Sequence, residues 1–290
     1  MGRHPDFLII GAMKAGTSTL HDQLAAHQGL FLSVPKEPCF FSDADVWARG
    51  LAWYEALFAA AAPDDLCGES STHYTKRPQL PDSVGRIAET LPDVRLVYMM
   101  RHPIERLVSH YVHEWTEGTV REPLEAAVER HPELVDHGRY AYQLRPYLET
   151  FGRARILPVF LERHARHPRE ELARVLRFLG HPGPVNEAVL AQRSNVSSQR
   201  LRRSRPREFL QELPAATWLR RTLLPERVRE RIKARWRISE RPEVGDALRR
   251  ALEARFDEDL AELGGWLGVP LSCARFREQV ADRALEWAAP

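Results

Sequence analysis

The apolar run Phe7 to Ile10 stops at Gly11, passes through Ala12, Met13, Lys14, Ala15, Gly16, Thr17, Ser18 and Thr19, and gives way to a helical pattern ending near residue 27. A strand that feeds a glycine-bearing turn and then a helix opens a βαβ unit. Parallel strands joined in this way need helices on both sheet faces. The remaining chain keeps the alternation. Strands are expected at 30–33, 65–69, 94–100 and 155–162, and helices near 82–91, 103–116, 122–130, 138–151 and 168–179. The expected fold class is therefore α/β, a central parallel sheet flanked by helices. Pro158 puts the last strand at an edge or a bulge, because proline cannot donate to a ladder. Ligands of such sheets gather beyond the carboxyl ends of the strands. Gly11, Glu69 and Arg101 all stand at such ends and should share one rim.

Composition narrows the classes. The 290 residues carry a net charge of only +2, with 43% hydrophobic and 28% charged residues, as in ordinary globular proteins rather than polyanion coats. One domain over 1–290 is expected, with a core at about 5–185 and a helical, basic C-terminal portion at about 194–290. Residues 194–237 hold 13 Arg or Lys against four Glu. The stretch VGDALRRALEARFDEDLAELGGWLG then repeats apolar residues at helical spacing and is expected to stop at its Gly-Gly pair. Lys14, Lys36, Lys76 and Lys233 are the only lysines among 42 basic residues, which suggests a GC-rich bacterial source and makes a lysine beside a glycine loop less of a filler. Cys39, Cys67 and Cys273 show no paired spacing, so neither a disulfide framework nor a metal site is expected. No stretch reaches the ~20 apolar residues of a membrane span, and the expected compartment is the reduced cytoplasm.

The loop itself points to an anion. Backbone N–H groups at a helix start, a glycine that admits close approach, the hydroxyls of Thr17, Ser18 and Thr19, and the charge of Lys14 converge there. The same pattern also fits a strand-to-helix turn with no ligand. Arg101 at the next strand end, with Ser109 two helical turns on, offers a fork and a hydroxyl to a second phosphate; a surface ion pair is the alternative. Lys36 follows the second strand near the same rim. Phe40 and Phe41 are assigned to the core. Tyr111, Trp115, Tyr140 and Tyr142 fit either an acceptor cleft or the core.

In this order, KAGTST, KEPCFF and RHPIERLVSHY resemble the sulfotransferases that use 3′-phosphoadenosine 5′-phosphosulfate (PAPS), and most of all the heparan sulfate branch with its bacterial relatives. The resemblance runs over about residues 7–180, with a weaker echo at 241–268. It implies a P-loop, nucleoside-kinase-like sulfotransferase fold. It also implies a PAPS donor held by Lys14, Ala15, Gly16, Thr17, Ser18 and Thr19 at the 5′ end and by Arg101 and Ser109 at the 3′-phosphate. No metal is implied. In-line transfer of a sulfuryl group to a hydroxyl or amine would rest on Lys14 and Lys36 for charge. Glu69 matches the branch's catalytic glutamate, although Ser70 follows it where that branch has lysine. His73 and His110 are rival bases. The segment 194–205 matches a loop that closes over the 3′-phosphate, with Arg200, Arg202 or Arg203 contributing; a solvated basic face is the other reading. The expected acceptor is a small molecule, a glycolipid or a saccharide, not a nucleic acid.

Two other classes are weighed. A small-molecule or nucleoside kinase on a related fold needs Ser or Thr directly after the loop lysine to hold magnesium, and Lys14 is followed by Ala15. A polyanion-binding protein would work through 194–237 and bind DNA with steep salt dependence.

Overall fold

The computed structural model describes residues 2–190 and 242–288. Five strands, β1 (Phe7–Gly11), β2 (Leu30–Leu32), β3 (Leu66–Ser70), β4 (Arg95–Met100) and β5 (Ile156–Phe160), form one sheet in the order β2-β3-β1-β4-β5. Every pairing is parallel, with Leu8 opposite Glu69 and Leu96, and Leu96 opposite Ile156. All five residues of β1 and of β5 are buried, which is the pattern of strands covered on both faces. β5 is the edge strand that Pro158 predicted.

Among the described residues the helices are α1 (Thr17–Ala25), α2 (Ala44–Trp47), α3 (Leu51–Ala56), α4 (Ser83–Thr90), α5 (Pro103–Glu117), α6 (Leu124–Arg130), α7 (Glu133–Asp136), α8 (Tyr140–Phe151), α9 (Leu161–Arg166), α10 (Pro168–Leu179), α11 (Asp246–Leu267) and α12 (Phe276–Val280). Pro103 and Pro168 start α5 and α10 at the position where a missing N–H costs nothing. The sequence pattern misses α2, α3, α7, α9 and α12, all of one or two turns. It also carries the fifth strand into Leu161 and Glu162, which the structure gives to α9.

The expected Gly-Gly stop is corrected. α11 runs through Gly264 and Gly265 and ends at Gly268, which takes the left-handed conformation at φ 67°. Gly264 serves packing instead: a Cβ there would lie 2.4 Å from the Val269 carbonyl oxygen of the returning chain. α11 is tied to the sheet domain by Asp259, whose carboxylate accepts from the Ala141 and Tyr142 N–H groups at 2.9 Å each and so satisfies the start of α8.

Candidate active site

The loop after β1 is shaped by its backbone. Ala12 N–H donates to the Met99 carbonyl at 2.7 Å, fastening the loop to the end of β4, and Ala15 N–H turns back onto the Ala12 carbonyl at 3.1 Å. Lys14 (φ 67°) and Gly16 (φ 97°) adopt left-handed conformations. At Gly16 a side chain would also strike Leu161 at 2.8 Å. Gly16 caps α1 without offering a side chain, so among the described residues no side-chain oxygen covers the first-turn amides, although the Gly16 carbonyl accepts from Thr19 N–H at 3.0 Å. Such an uncapped N-terminus favours an anion.

Lys36 arrives from the segment after β2, and its Nζ donates to Ser18 Oγ at 2.6 Å. The two lysines, Lys14 and Lys36, thus belong to one loop environment. On the neighbouring strand, Arg101 donates from Nη2 to Glu105 Oε2 at 3.0 Å, and its backbone N–H meets the Tyr140 hydroxyl at 3.2 Å. Among the described residues the buried Nε–H of Arg101 has no hydrogen-bond partner. Glu105 is also in contact with Arg277 of α12. Beside this ion-pair network lies a cavity of about 530 Å³ whose lining includes His102, Glu105, Arg249 and Arg277. Ser109 is buried on α5. Because β1 and β4 are adjacent, the glycine loop and Arg101 stand side by side on the predicted rim. Arg200, Arg202 and Arg203 lie outside the described residues.

Glu69 is closed off beneath that rim. It is fully buried, and neither carboxylate oxygen has a hydrogen-bond partner among the described residues. Burial pushes its carboxyl up to about 8, with the negative charge of Glu37 adding to the rise. The neighbouring Tyr74 and Ser71 hydroxyls pull it back down without reaching bonding geometry. The two rival bases differ. His110 is buried and engaged at both nitrogens: Arg106 Nη1 donates to Nδ1 at 3.4 Å, and Nε2 faces Glu114 at 3.4 Å. Burial holds its pKa down at about 4, so the ring is neutral. His73 is half-buried, and burial followed by the charge of Lys76 lowers its pKa.

Arg106 is the residue the sequence pattern did not single out. Fully buried, it donates to the Met13 carbonyl of the glycine loop at 3.4 Å, to His110 and to the Leu134 carbonyl. It therefore ties the loop to α5 and to α7. In a chain with so many arginines, only its place five residues after Arg101 in the same motif distinguishes it. Of the aromatic cleft candidates, Tyr140 and Tyr111 are buried and bonded to the backbone, Tyr140 to Arg101 and Tyr111 to Glu122. Tyr142 lies under Arg77 and Arg139, and Trp115 is half-buried. Phe40 stacks on Tyr54 with centroids 4.4 Å apart, and Phe41 is in the core as expected.

A parallel sheet whose first strand opens into a lysine-bearing loop and a helix, with a second cation at the next strand end, is the architecture shared by α/β proteins that bind nucleotides. The chain belongs to the sulfotransferase domain family, which it matches over residues 4–264. It is 30% identical over 186 residues to human heparan sulfate glucosamine 3-O-sulfotransferase 6, a match covering 61% of this chain and 53% of that protein. The chain thus spans about half the length of that curated relative. A crystal structure of a sulfotransferase from Alicyclobacillus acidocaldarius superposes with a TM-score of 0.65 over 93% of this chain and 98% of the other, at 22% identity. Mouse sulfotransferase SULT7A1, solved with PAP, superposes at 0.51 over 89% and 85%, at 16% identity. These likenesses establish a shared fold, the P-loop-like sulfotransferase architecture.

Proposed function

We propose that this chain is a PAPS-dependent sulfotransferase acting on a hydroxyl or amine of a small-molecule, glycolipid or saccharide acceptor. The observation that carries the reading is the Lys36–Ser18 bond at 2.6 Å, which gathers a second lysine onto the glycine loop. A lysine pair at an uncapped helix start fits the 5′-phosphosulfate end of the donor. Arg101 at the end of β4, with Ser109 on the helix that follows, suits its 3′-phosphate. The saccharide acceptor in the name of the human relative and the PAP in the mouse structure support the same reading.

The donor supplies the sulfuryl group and departs as the bisphosphate. Lys14, Lys36 and the first-turn amides of α1 offset the negative charge that grows on the leaving oxygen and on the sulfuryl oxygens. Arg101 and Ser109 anchor the far end, so that the reacting atoms stay in line. Glu69 takes the acceptor proton. Its raised pKa suits that task, since a base is most useful when its pKa lies near the working pH, and a positioned base contributes ~10²–10⁴-fold.

Incubation with labelled PAPS and a panel of alcohol, amine and saccharide acceptors tests the activity. Transfer is expected, with binding of adenosine 3′,5′-bisphosphate lowered at least tenfold in Lys14→Ala. Undiminished binding in that variant, or stabilisation by magnesium-ATP without any by the bisphosphate, would overturn the assignment.

A further inference from the structure

Glu105 is held from two sides by segments far apart in the chain. Arg101, four residues earlier, donates from Nη2 to carboxylate oxygen Oε2 at 3.0 Å, and Arg277 of α12 meets the other oxygen, Oε1. We propose that Arg277 is a positioning residue for the donor: by neutralising Glu105 it lets Arg101 hold a 3′-phosphate. The inference rests on the donor reading above and adds to it a residue from beyond the family match, which ends at 264.

Charge balance is the first argument. Arg101 faces more than one carboxylate. Glu105 bonds it directly, and Glu162, whose Oε1 accepts from the His102 N–H at 2.8 Å, acts on it through its charge. A phosphate monoester brings ~1.5–2 further negative charges to the same guanidinium. Like charges repel at this range, so an Arg101 already matched by Glu105 offers an incoming phosphate little net attraction. Arg277 gives Glu105 a second cation. Arg101, Glu105 and Arg277 together are net positive, whereas Arg101 and Glu105 alone form a neutral pair.

Placement is the second argument. Phe276, the neighbour of Arg277, is fully buried and packs on the rings of His102 and Phe160, with centroids 5.7 and 5.8 Å away. His102 Nε2 bonds the Cys273 carbonyl at 3.0 Å, and Cys273 N–H donates to Asp257 Oδ1 of α11 at 2.6 Å. The approach to α12 is thus fastened to the very residue that follows Arg101. This matters because Arg277 is 65% exposed, and an exposed ion pair between freely moving side chains contributes little. Here the backbone of α12 is set by buried contacts, so the guanidinium is delivered to Glu105 without its own ion pair having to order the segment. A role as a mere clamp for the tail fits less well. Phe276, Val280 and Leu285 are buried and already dock that segment.

Calorimetric titration with adenosine 3′,5′-bisphosphate and with adenosine 5′-phosphate, which lacks the group in question, tests the role. The parent is expected to bind the bisphosphate more tightly. Arg277→Ala should lower bisphosphate affinity ~3–10-fold at low ionic strength, a deficit that shrinks as salt is added, and leave 5′-phosphate affinity within about twofold. Its unfolding should stay cooperative, since Phe276 keeps α12 in place. Arg277→Lys should retain most of the parent's preference, because charge is what the site requires. In Glu105→Gln, which has no charge to offset, adding Arg277→Ala should change bisphosphate affinity by less than about twofold. A parent with no preference for the bisphosphate overturns the donor reading and this role with it. A parent that keeps the preference overturns the role of Arg277 alone in either of two cases: the two affinities of Arg277→Ala stay unchanged or fall together, or its loss is undiminished in the Glu105→Gln background.

Discussion

Glu69 and His110 show what burial does to the preferred base and one of its rivals. The carboxyl is raised to about 8 and the imidazole lowered to about 4, in both cases because the charged form loses its water. The consequence for Glu69 has a definite sign. Its folded pKa lies above the unfolded one, so the fold favours the protonated form. That contribution is whole below the unfolded value, falls as pH rises, and is gone above about 8. Glu69→Gln keeps the shape and removes the titration. Chemical unfolding should show the variant gaining several kcal/mol on the parent between roughly pH 5 and 8, with no further gain above. In the proposed reaction the parent's rate should climb through about pH 8, and the glutamine variant should lose ~10²-fold or more while binding the bisphosphate normally. Equal pH dependence in the two proteins would remove Glu69 from the base role. Glu69 was legible as a candidate from the motif around it; its closed environment was not, because that comes from Tyr54 and Tyr74, 15 residues before and five after.

At the level of elements, α5 and α11 carry the informative cases. Arg106 on α5 gives its guanidinium to two carbonyls and an imidazole in a fully buried setting. Arg106→Ala leaves those acceptors unmatched and is expected to cost about 3–5 kcal/mol, read from denaturant unfolding, together with weaker bisphosphate binding as the loop loosens. On α11 the adjacent glycines should respond in opposite directions. Gly265 is exposed with open space around its α-carbon, so Gly265→Ala should stabilise by about 0.5–1 kcal/mol through helix propensity. Gly264→Ala drives a methyl into the Val269 carbonyl and should destabilise by about 1–3 kcal/mol despite the same propensity gain. Thermal midpoints of the two variants separate these effects. The helices of α5, α8 and α10 were readable because each offers apolar residues at helical spacing over three or more turns. The shorter helices α2, α3, α7, α9 and α12 were not, since one or two turns give too few residues to establish a period.

Across the whole molecule, the chain beyond the family match at residue 264 is built into the sheet domain. Trp287 Nε1 donates to the Ile156 carbonyl at 2.6 Å, Arg174 pairs with Glu286 at 3.0 Å, and Phe276 packs on His102 and Phe160. Phe276, Val280 and Leu285 are buried, at ~1.5–3 kcal/mol for each such side chain, against a total stability of about 5–15 kcal/mol for a domain. Ending the chain after Gly268 should lower the midpoint of thermal unfolding by more than 10 °C or abolish the cooperative transition, as followed by circular dichroism (about 2–4 °C per kcal/mol at this size). A midpoint within a few degrees of the parent would show the tail to be an accessory. The parallel sheet, the glycine loop and the placing of that loop beside Arg101 were determined by the sequence alone, because each rests on residues within one strand–turn–helix stretch and on the rule that parallel strands end at a common edge. Only the tertiary structure decided that Lys36 reaches Ser18, that Glu69 is shut away from water, that Arg106 braces the loop, and that Arg277 meets Glu105. Those outcomes depend on which distant segments are packed together, and packing between segments tens of residues apart leaves no period in the chain that joins them.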